Sequence, residues 1–418
     1  MSLTGAMNSA VSAMKAQSTA LSIISNNLAN VSTTGYKASS ASFSSLLTSG
    51  STNSASGGVT VAKSQNILAS GTLVSSSIST NIAIDGDGFF AVTTGDGSEI
   101  YYTRNGSFTV DDDTGYLTSN GYTLLGWPTD ADGNVVGGTT ATNLEQIDTD
   151  KLTGYAAATT SVELKGSLPA NATSSYTSEL ELYDSLGTAY TLEVTWTKST
   201  TDDNSWTMSF GDLTTSDGKA VSAATISGET TITFNSDGTL KSPETTVLSI
   251  SGLTSGASDL SVTLDLGTAG ATDGLSQYSP DDSSSSTTVD ISCTGNGCAY
   301  GTLSGVTIDE DGTVYGNYSN GESIPIYKIP LATFSNANGL IEMSNSVYSA
   351  SSTSSGATYH FAGSDGVGSI QDYELEESTT DTNTEFSSMI AAQQAYSAAS
   401  QVISTAKDMF ESLLSAVR

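Results

Sequence analysis

Basic side chains are scarce in this 418-residue chain: 12 Lys and Arg stand against 44 Asp and Glu, a formal net charge of -32. That balance repels a phosphate backbone instead of releasing its counterions, which argues against nucleic acid as a partner. The same charge keeps a crowded protein surface soluble and also suits a salty habitat. Histidine occurs once, as His360, and no Gly-x-Ser-x-Gly elbow with a partner set accompanies it. A lone histidine reads as structural, and the many carboxylate pairs of so acidic a chain carry no glycosidase signature. No enzyme is expected, and no catalytic residue.

Cysteine is nearly absent. Cys293 and Cys298 sit in Ser-Cys-Thr-Gly-Asn-Gly-Cys-Ala, without the second pair or nearby histidine that a zinc site needs. A small disulfide-closed loop is favoured over two free thiols. The turns Asp85-Gly86-Asp87-Gly88, Asp111-Asp112-Asp113, Asp130-Ala131-Asp132-Gly133 and Asp309-Glu310-Asp311-Gly312 lack the spacing of an EF-hand loop. They read as hairpin and loop turns, so no metal or cofactor is expected. No apolar run approaches membrane-spanning length, and the first 32 residues, with the single cation Lys15 and no continuous apolar stretch, do not form a secretory signal. Leaving the cell would require a route that reads an uncleaved N-terminus.

What is present is polar and uncharged. Only 37% of residues are hydrophobic and 13% charged, with 41 Gly and six Pro, a composition suited to many short strands and turns. Period-two alternation marks half-buried strands at Val162 and Leu164; Leu192, Val194 and Trp196; Trp206, Met208 and Phe210; Ile232 and Phe234; and Val262, Leu264 and Leu266. Flanking β segments at Ile82–Phe90 and Ile308–Tyr315 straddle that block, the pattern of an inserted domain.

The two ends differ from this middle. Leu3, Met7, Ala10, Met14, Leu21, Ile24, Leu28 and Val31 follow a four-three spacing with Gln17 as its polar member, and Gly35 follows as a left-handed stop. Phe386, Met389, Tyr396, Ile403, Phe410, Leu414 and Val417 repeat that spacing at the other end, behind the acidic first-turn residues Asp381 and Glu385. Each helix would reach roughly 40 to 50 Å, more than a globular domain needs. Their remaining faces carry Ser, Asn, Gln and Ala instead of Glu and Lys, as expected if neighbouring copies and not water surround them. Ordering a residue costs about 1–2 kcal/mol while a buried Leu or Ile returns about 1.5–3, so eight seam residues cannot offset the ordering of one helix. Both ends are therefore expected to be largely unfolded in the free subunit and to fold as subunits pack.

The reading is a mainly β chain with paired terminal α-helices and nested β domains, its terminal helices forming a coiled-coil-like inner layer on assembly. The terminal helical assembly domain comprises 1–31 plus 378–418, with a Ser- and Gly-rich linker over 32–79. An inner β domain spans 80–148 plus 300–377, and an inserted outer β domain 149–299.

Asn26-Asn27-Leu28-Ala29-Asn30 after Ser25, with Thr33-Thr34-Gly35-Tyr36-Lys37, resembles the N-terminal signature of the flagellar rod and hook proteins. Leu375-Glu376-Glu377-Ser378, together with Glu385-Phe386, Met389-Ile390, Gln393, Ala395-Tyr396 and Val402-Ile403, is similar to their C-terminal signature. Asp184-Ser185-Leu186-Gly187, the stretch Ile329 to Phe334 with Asn338-Gly339-Leu340, and Gly363 to Gly368 resemble the hook branch in particular. Gln394 stands where many relatives carry Arg, and Thr379-Thr380-Asp381 replaces a usual Asn-Val-Asp. The resemblance implies a structural subunit of the curved tube that joins the flagellar motor to its filament. It further implies export by the flagellar type III apparatus, self-association, and contacts with rod, hook cap and hook-filament junction proteins, without membrane insertion. A distal rod subunit and a secreted β-rich adhesin are the competing readings.

Overall fold

The computed structural model describes residues 3–47, 57–152, 154–202, 204–279, 291–364 and 366–416. The chain divides into two compact units, one of residues 1–151, 306–316 and 324–418, the other of 152–305 and 317–323.

In the second unit the alternating segments become two sheets over one core. Tyr176–Tyr183, Ala189–Lys198, Ser205–Thr215, Thr230–Phe234 and Leu240–Ser242 pair in that order. The other sheet runs Thr225–Ser227, Thr245–Ser251, Leu260–Asp265, Ser161–Pro169 and Leu275–Tyr278, with Ile291–Gly295 also on Ser161–Pro169. Leu192, Val194, Trp196, Trp206 and Met208 from the first sheet, and Val162, Leu164, Val262 and Leu264 from the second, share the core. Both buried indoles find acceptors: Trp196 Nε1 donates to Ser178 Oγ at 2.9 Å and Trp206 Nε1 to Gln277 Oε1 at 3.0 Å. Alternation legible in the residues is thus what faces these sheets inward.

Cys293 and Cys298 are free thiols, correcting the expected disulfide. The strand Ile291–Gly295 places Cys293 opposite Leu164, while Cys298–Gly301 places Cys298 opposite Ala157. Each cysteine is held by its own ladder, so close sequence spacing does not produce pairing geometry. Burial pushes the Cys293 thiol up to about 11, leaving little thiolate at neutral pH.

In the first unit, the fully buried strand Phe89–Thr93 is flanked by Ile100–Thr103, Tyr122–Pro128 and Leu331–Thr333. Phe89, Tyr102, Tyr348 and Ile67 form a core beside it, with Phe334 edge-on to both Phe89 and Tyr102. His360 pairs with Leu331 on a neighbouring strand, a structural position.

Residues 39–65, expected as linker, contain an antiparallel hairpin of Ser39–Leu47 and Gly57–Gln65. It packs on α1 (Leu3–Ala29), where Ser12 Oγ accepts the Val59 N–H at 3.2 Å and Ser9 Oγ donates to the Gly57 carbonyl. Its serines and threonines serve as strand residues because a helix covers one side; composition alone read them as solvated.

Candidate assembly site

α1 has neither an acidic first turn nor a basic last turn, whereas α2 (Thr382–Ala416) is capped by Asp381. Asp381 Oδ1 accepts the Thr384 N–H at 2.7 Å, and such backbone donors hold its carboxyl below the ordinary carboxylate range. The two helices pack together. Asn27, in the last turn of α1, donates from Nδ2 to Glu385 Oε1 in the first turn of α2 at 2.8 Å, so α2 runs back along α1.

Asn27 is a buried hub whose amide is fully used. Nδ2 also donates to the Ser39 carbonyl at 2.7 Å, and Oδ1 accepts from the Ser39 N–H at 3.0 Å and the Tyr36 hydroxyl at 3.2 Å. It thereby ties α1, the chain leaving it and α2 together. Asn27→Ala strands these partners, with an expected loss of about 2–4 kcal/mol in urea unfolding and loss of amide protection at Ser39.

Immediately beyond, three charged side chains with no exposed surface meet: Lys37, Glu376 and Arg104. Lys37 Nζ donates to Glu376 Oε1 at 2.5 Å and to the Ala69 carbonyl at 2.6 Å, and the Gly71 N–H reaches the same Oε1 at 2.6 Å. Arg104 Nη1 stands 3.7 Å from Glu376 Oε2, an ion pair too long for a hydrogen bond, while Nη2 donates to the Gly86 carbonyl at 2.8 Å and the guanidinium lies over Phe89. Burial pulls the Lys37 ammonium below its ordinary value, Glu376 opposes that, and Arg104 adds to it. Two buried cations thus share the Glu376 carboxylate, with Asp87 also attracting Arg104, and the strand Glu374–Glu376 that carries it pairs with Leu73–Ser75.

Backbone contacts close the knot. The Gly35 N–H donates to the Glu376 carbonyl at 2.8 Å, the Thr379 N–H to the Tyr36 carbonyl at 3.0 Å, and the Ala38 N–H to Thr379 Oγ1 at 2.8 Å. Among the signature residues, Gly35, Tyr36 and Lys37 are buried here with Glu376, and Leu375 is half-buried beside them. Asn30 and Asn26 stay at the helix end, where Asn30 Nδ2 donates to the Asn26 carbonyl at 2.9 Å, and Ser378 Oγ accepts the Thr380 N–H at 3.2 Å. Thr379, at a departure from the usual signature, is itself a partner.

The Asp184 to Gly187 stretch lies elsewhere, as a turn of the second unit. Burial pushes the Asp184 carboxyl up, but hydrogen bonds from Ser255 Oγ and the Thr188 and Leu186 N–H groups outweigh it and hold it below the ordinary carboxylate range, and the Tyr190 hydroxyl also donates to it. Ser185 and Leu186 are exposed at the tip.

The expected seam residues separate into two groups. On α1, Ala10 and Ile24 are buried and Met7, Met14, Leu21 and Leu28 half-buried, with Val31 half-buried just past the helix. On α2, Met389 and Ile403 are half-buried, whereas Phe386, Tyr396, Phe410 and Leu414 are exposed. The Leu3 side chain and Val417 lie outside the described residues. The buried line of α2 is instead Ala392, Ala399 and Ala406, and α1 buries Ala10, Ala16 and Ala20. Small side chains line the buried face of α2, whose large ones are left over, while α1 also buries Ile23 and Ile24. Arg104, Ser39 and these alanines other than Ala10 escaped the sequence reading; the one available signal was an arginine between Tyr-Tyr-Thr and Asn-Gly in a chain so poor in cations.

Comparison with known proteins follows this division. Residues 7–37 match the family model for flagella basal body rod protein, and 371–416 that for the flagellar basal body rod FlgEFG protein C-terminal region. Residues 83–170 match the flagellar hook protein FlgE/F/G D1 domain and 165–291 the flagellar basal body protein FlaE D2 domain. Flagellar hook protein FlgE of Rhizobium meliloti is 34% identical over 435 residues, covering all of both chains. The Escherichia coli protein of that name is 30% identical over 421 residues, covering 98% of this chain and 99% of its own. The crystal structure of Helicobacter pylori flagellar hook protein FlgE2 shares the fold at 14% identity, with a TM-score of 0.50 over 72% of this chain and all of its own. Matched from end to end, with both terminal signatures meeting in one buried knot, the chain belongs to the flagellar hook protein family.

Proposed function

We propose that the paired terminal helices are the polymerisation element of this hook subunit, and that copies joined through them form a flexible curved tube transmitting torque from motor to filament. The observation that carries the reading is the uneven use of α2: alanines meet the chain's own partner helix while Phe386, Ile390, Val402, Met409, Phe410, Leu413 and Leu414 remain exposed. A monomer gains nothing from so many exposed apolar side chains on one helix, and exposed apolar surface of this extent marks an interaction surface. Here Leu3, Met7, Met14, Leu21 and Leu28, with Phe386, Tyr396, Phe410 and Leu414, are the residues proposed to meet other copies.

Contacts between unlike patches that do not close generate helical polymers, the form a tube needs. Helices that gain so little from their own chain are also easily unfolded, which suits export through the flagellar type III apparatus without a cleaved leader. Rod, hook cap and hook-filament junction proteins are the proposed partners at the tube's ends. The buried knot would fix the root of each helix pair so that motion between copies arises elsewhere.

Negative-stain electron microscopy under salting-out conditions tests this, comparing the full chain with a core lacking 1–31 and 381–418. Curved tubes are expected from the full chain and none from the core. Tubes from the core would remove the terminal helices from the mechanism.

A further inference from the structure

The dipeptide Asn-Gly occurs five times, at Asn105, Asn120, Asn296, Asn320 and Asn338. It is the pair most open to loss of the side-chain amide, because a following glycine has no side chain to shield its backbone nitrogen from the asparagine Cγ. Four of the five are held. Asn105 is buried, its Oδ1 accepts the Ser107 N–H at 3.0 Å, and its Nδ2 donates to Ser119 Oγ at 3.3 Å. Asn296 Oδ1 accepts the Thr160 and Ser161 N–H groups, each at 3.0 Å. Asn320 Nδ2 donates to the Ala299 carbonyl at 2.7 Å while its Oδ1 accepts the Glu322 N–H at 3.1 Å, and Asn338 Oδ1 accepts the Ile67 N–H at 3.1 Å.

Asn120 is different. It is exposed, and its side-chain amide makes no hydrogen bond among the described residues. With Gly121 it forms the two-residue loop between the strands Leu117–Ser119 and Tyr122–Pro128, where Ser119 pairs with Tyr122. Its φ is +51° and that of Gly121 +85°, the left-handed pair of a type I′ turn. A Cβ on Gly121 would meet nothing within 4 Å, so the loop has room to rotate and bring nitrogen to Cγ.

We propose that Asn120 is a site of self-modification in the folded chain, where the amide is lost to water without an enzyme. The Gly121 nitrogen attacks Asn120 Cγ and gives up its proton, the side-chain nitrogen leaves as ammonia, and a cyclic imide closes. Water then opens the imide at either carbonyl. Opening at Cγ leaves aspartate; opening at the main-chain carbonyl leaves isoaspartate, in which the chain runs through Cγ and the former main-chain carbonyl becomes the free carboxylate. One water is consumed and one ammonia released, with no oxidant or reductant. Either product adds a negative charge to a chain already at -32. Isoaspartate also adds a main-chain atom to a loop whose geometry fits two residues, beside the Ser119 hydroxyl that holds Asn105 and at the carbonyl that accepts Asn345 Nδ2 at 3.2 Å.

Incubating the soluble full chain in warm, mildly alkaline buffer tests the assignment, with mass spectrometry of the five Asn-Gly peptides and isoaspartyl methyltransferase labelling as readouts. Each rate is divided by that of the same peptide in the urea-unfolded chain, which removes the effect of local sequence. On this scale Asn120 is expected to convert about tenfold or more faster than any of the other four, the worth of one or two hydrogen bonds that those must break first. Asn120→Gly keeps a Gly-Gly loop suited to the same turn and is expected to abolish the early labelling. An Asn120 peptide that converts no faster than the others in the folded chain overturns the proposal, as does early labelling that survives in Asn120→Gly.

Discussion

Replacing Glu376 with Gln is expected to cost about 3–5 kcal/mol, because it leaves the buried Lys37 without a counter-charge and Arg104 with only the weaker attraction of Asp87. The amide keeps the volume and can still accept the Gly71 N–H, so the loss isolates charge from packing. Lys37→Met provides the contrast: it removes the surplus cation and leaves a one-to-one pair of Arg104 and Glu376, so its cost should be well under half that of Glu376→Gln. Urea unfolding of the two variants beside the parent measures both. Equal losses, or a larger one for Lys37→Met, would show that hydrogen bonding and not charge balance holds the knot.

The second large effect is expected at Gly35, whose Ala variant should lose about 3 kcal/mol or more, above the 1–2 kcal/mol of a left-handed residue alone. Its φ is +66°, and a Cβ there would stand 2.7 Å from the Asn105 backbone nitrogen and 2.8 Å from the Arg104 carbonyl carbon. Neither neighbour can give way, since Arg104 is held in the charge cluster and the Gly35 N–H is bonded to the Glu376 carbonyl. Gly363 supplies the control, with φ +72° and nothing within 4 Å of its would-be Cβ. Gly363→Ala should cost only the backbone share. If both variants unfold at the same urea concentration, close packing at Gly35 contributes nothing.

These two sites explain why the termini are joined where they are. Gly35 lets the chain turn sharply after α1, which carries Lys37 inward to meet a carboxylate that arrives 339 residues later. The N-cap Asp381 then starts α2 beside the end of α1, and Asn27 fastens the two. Farther along α1, Ser9 and Ser12 bond the hairpin, and the expectation that both ends order fully on assembly concerns the turns beyond this anchored root.

Local regularities in the residues determined much of this. Trp196, Trp206 and Val262 alternate with polar neighbours because a strand shows successive side chains to opposite faces, so their burial in the second unit's core could be read directly. The length and low charge of both ends, and the stop at Gly35, follow equally from local spacing and backbone conformation. Only the tertiary structure decided which residues meet across distance. Lys37, Arg104 and Glu376 look like ordinary surface charges until three separate segments exclude water around them. Residues 39–65 read as solvated linker until α1 supplies a surface, and Cys293 and Cys298 read as a pair until separate ladders hold them apart. The α2 seam shows the same limit: hydrophobicity points to Phe410 and Leu414, but the distance between helix axes selects Ala392, Ala399 and Ala406, because close backbone approach rewards the smallest side chain.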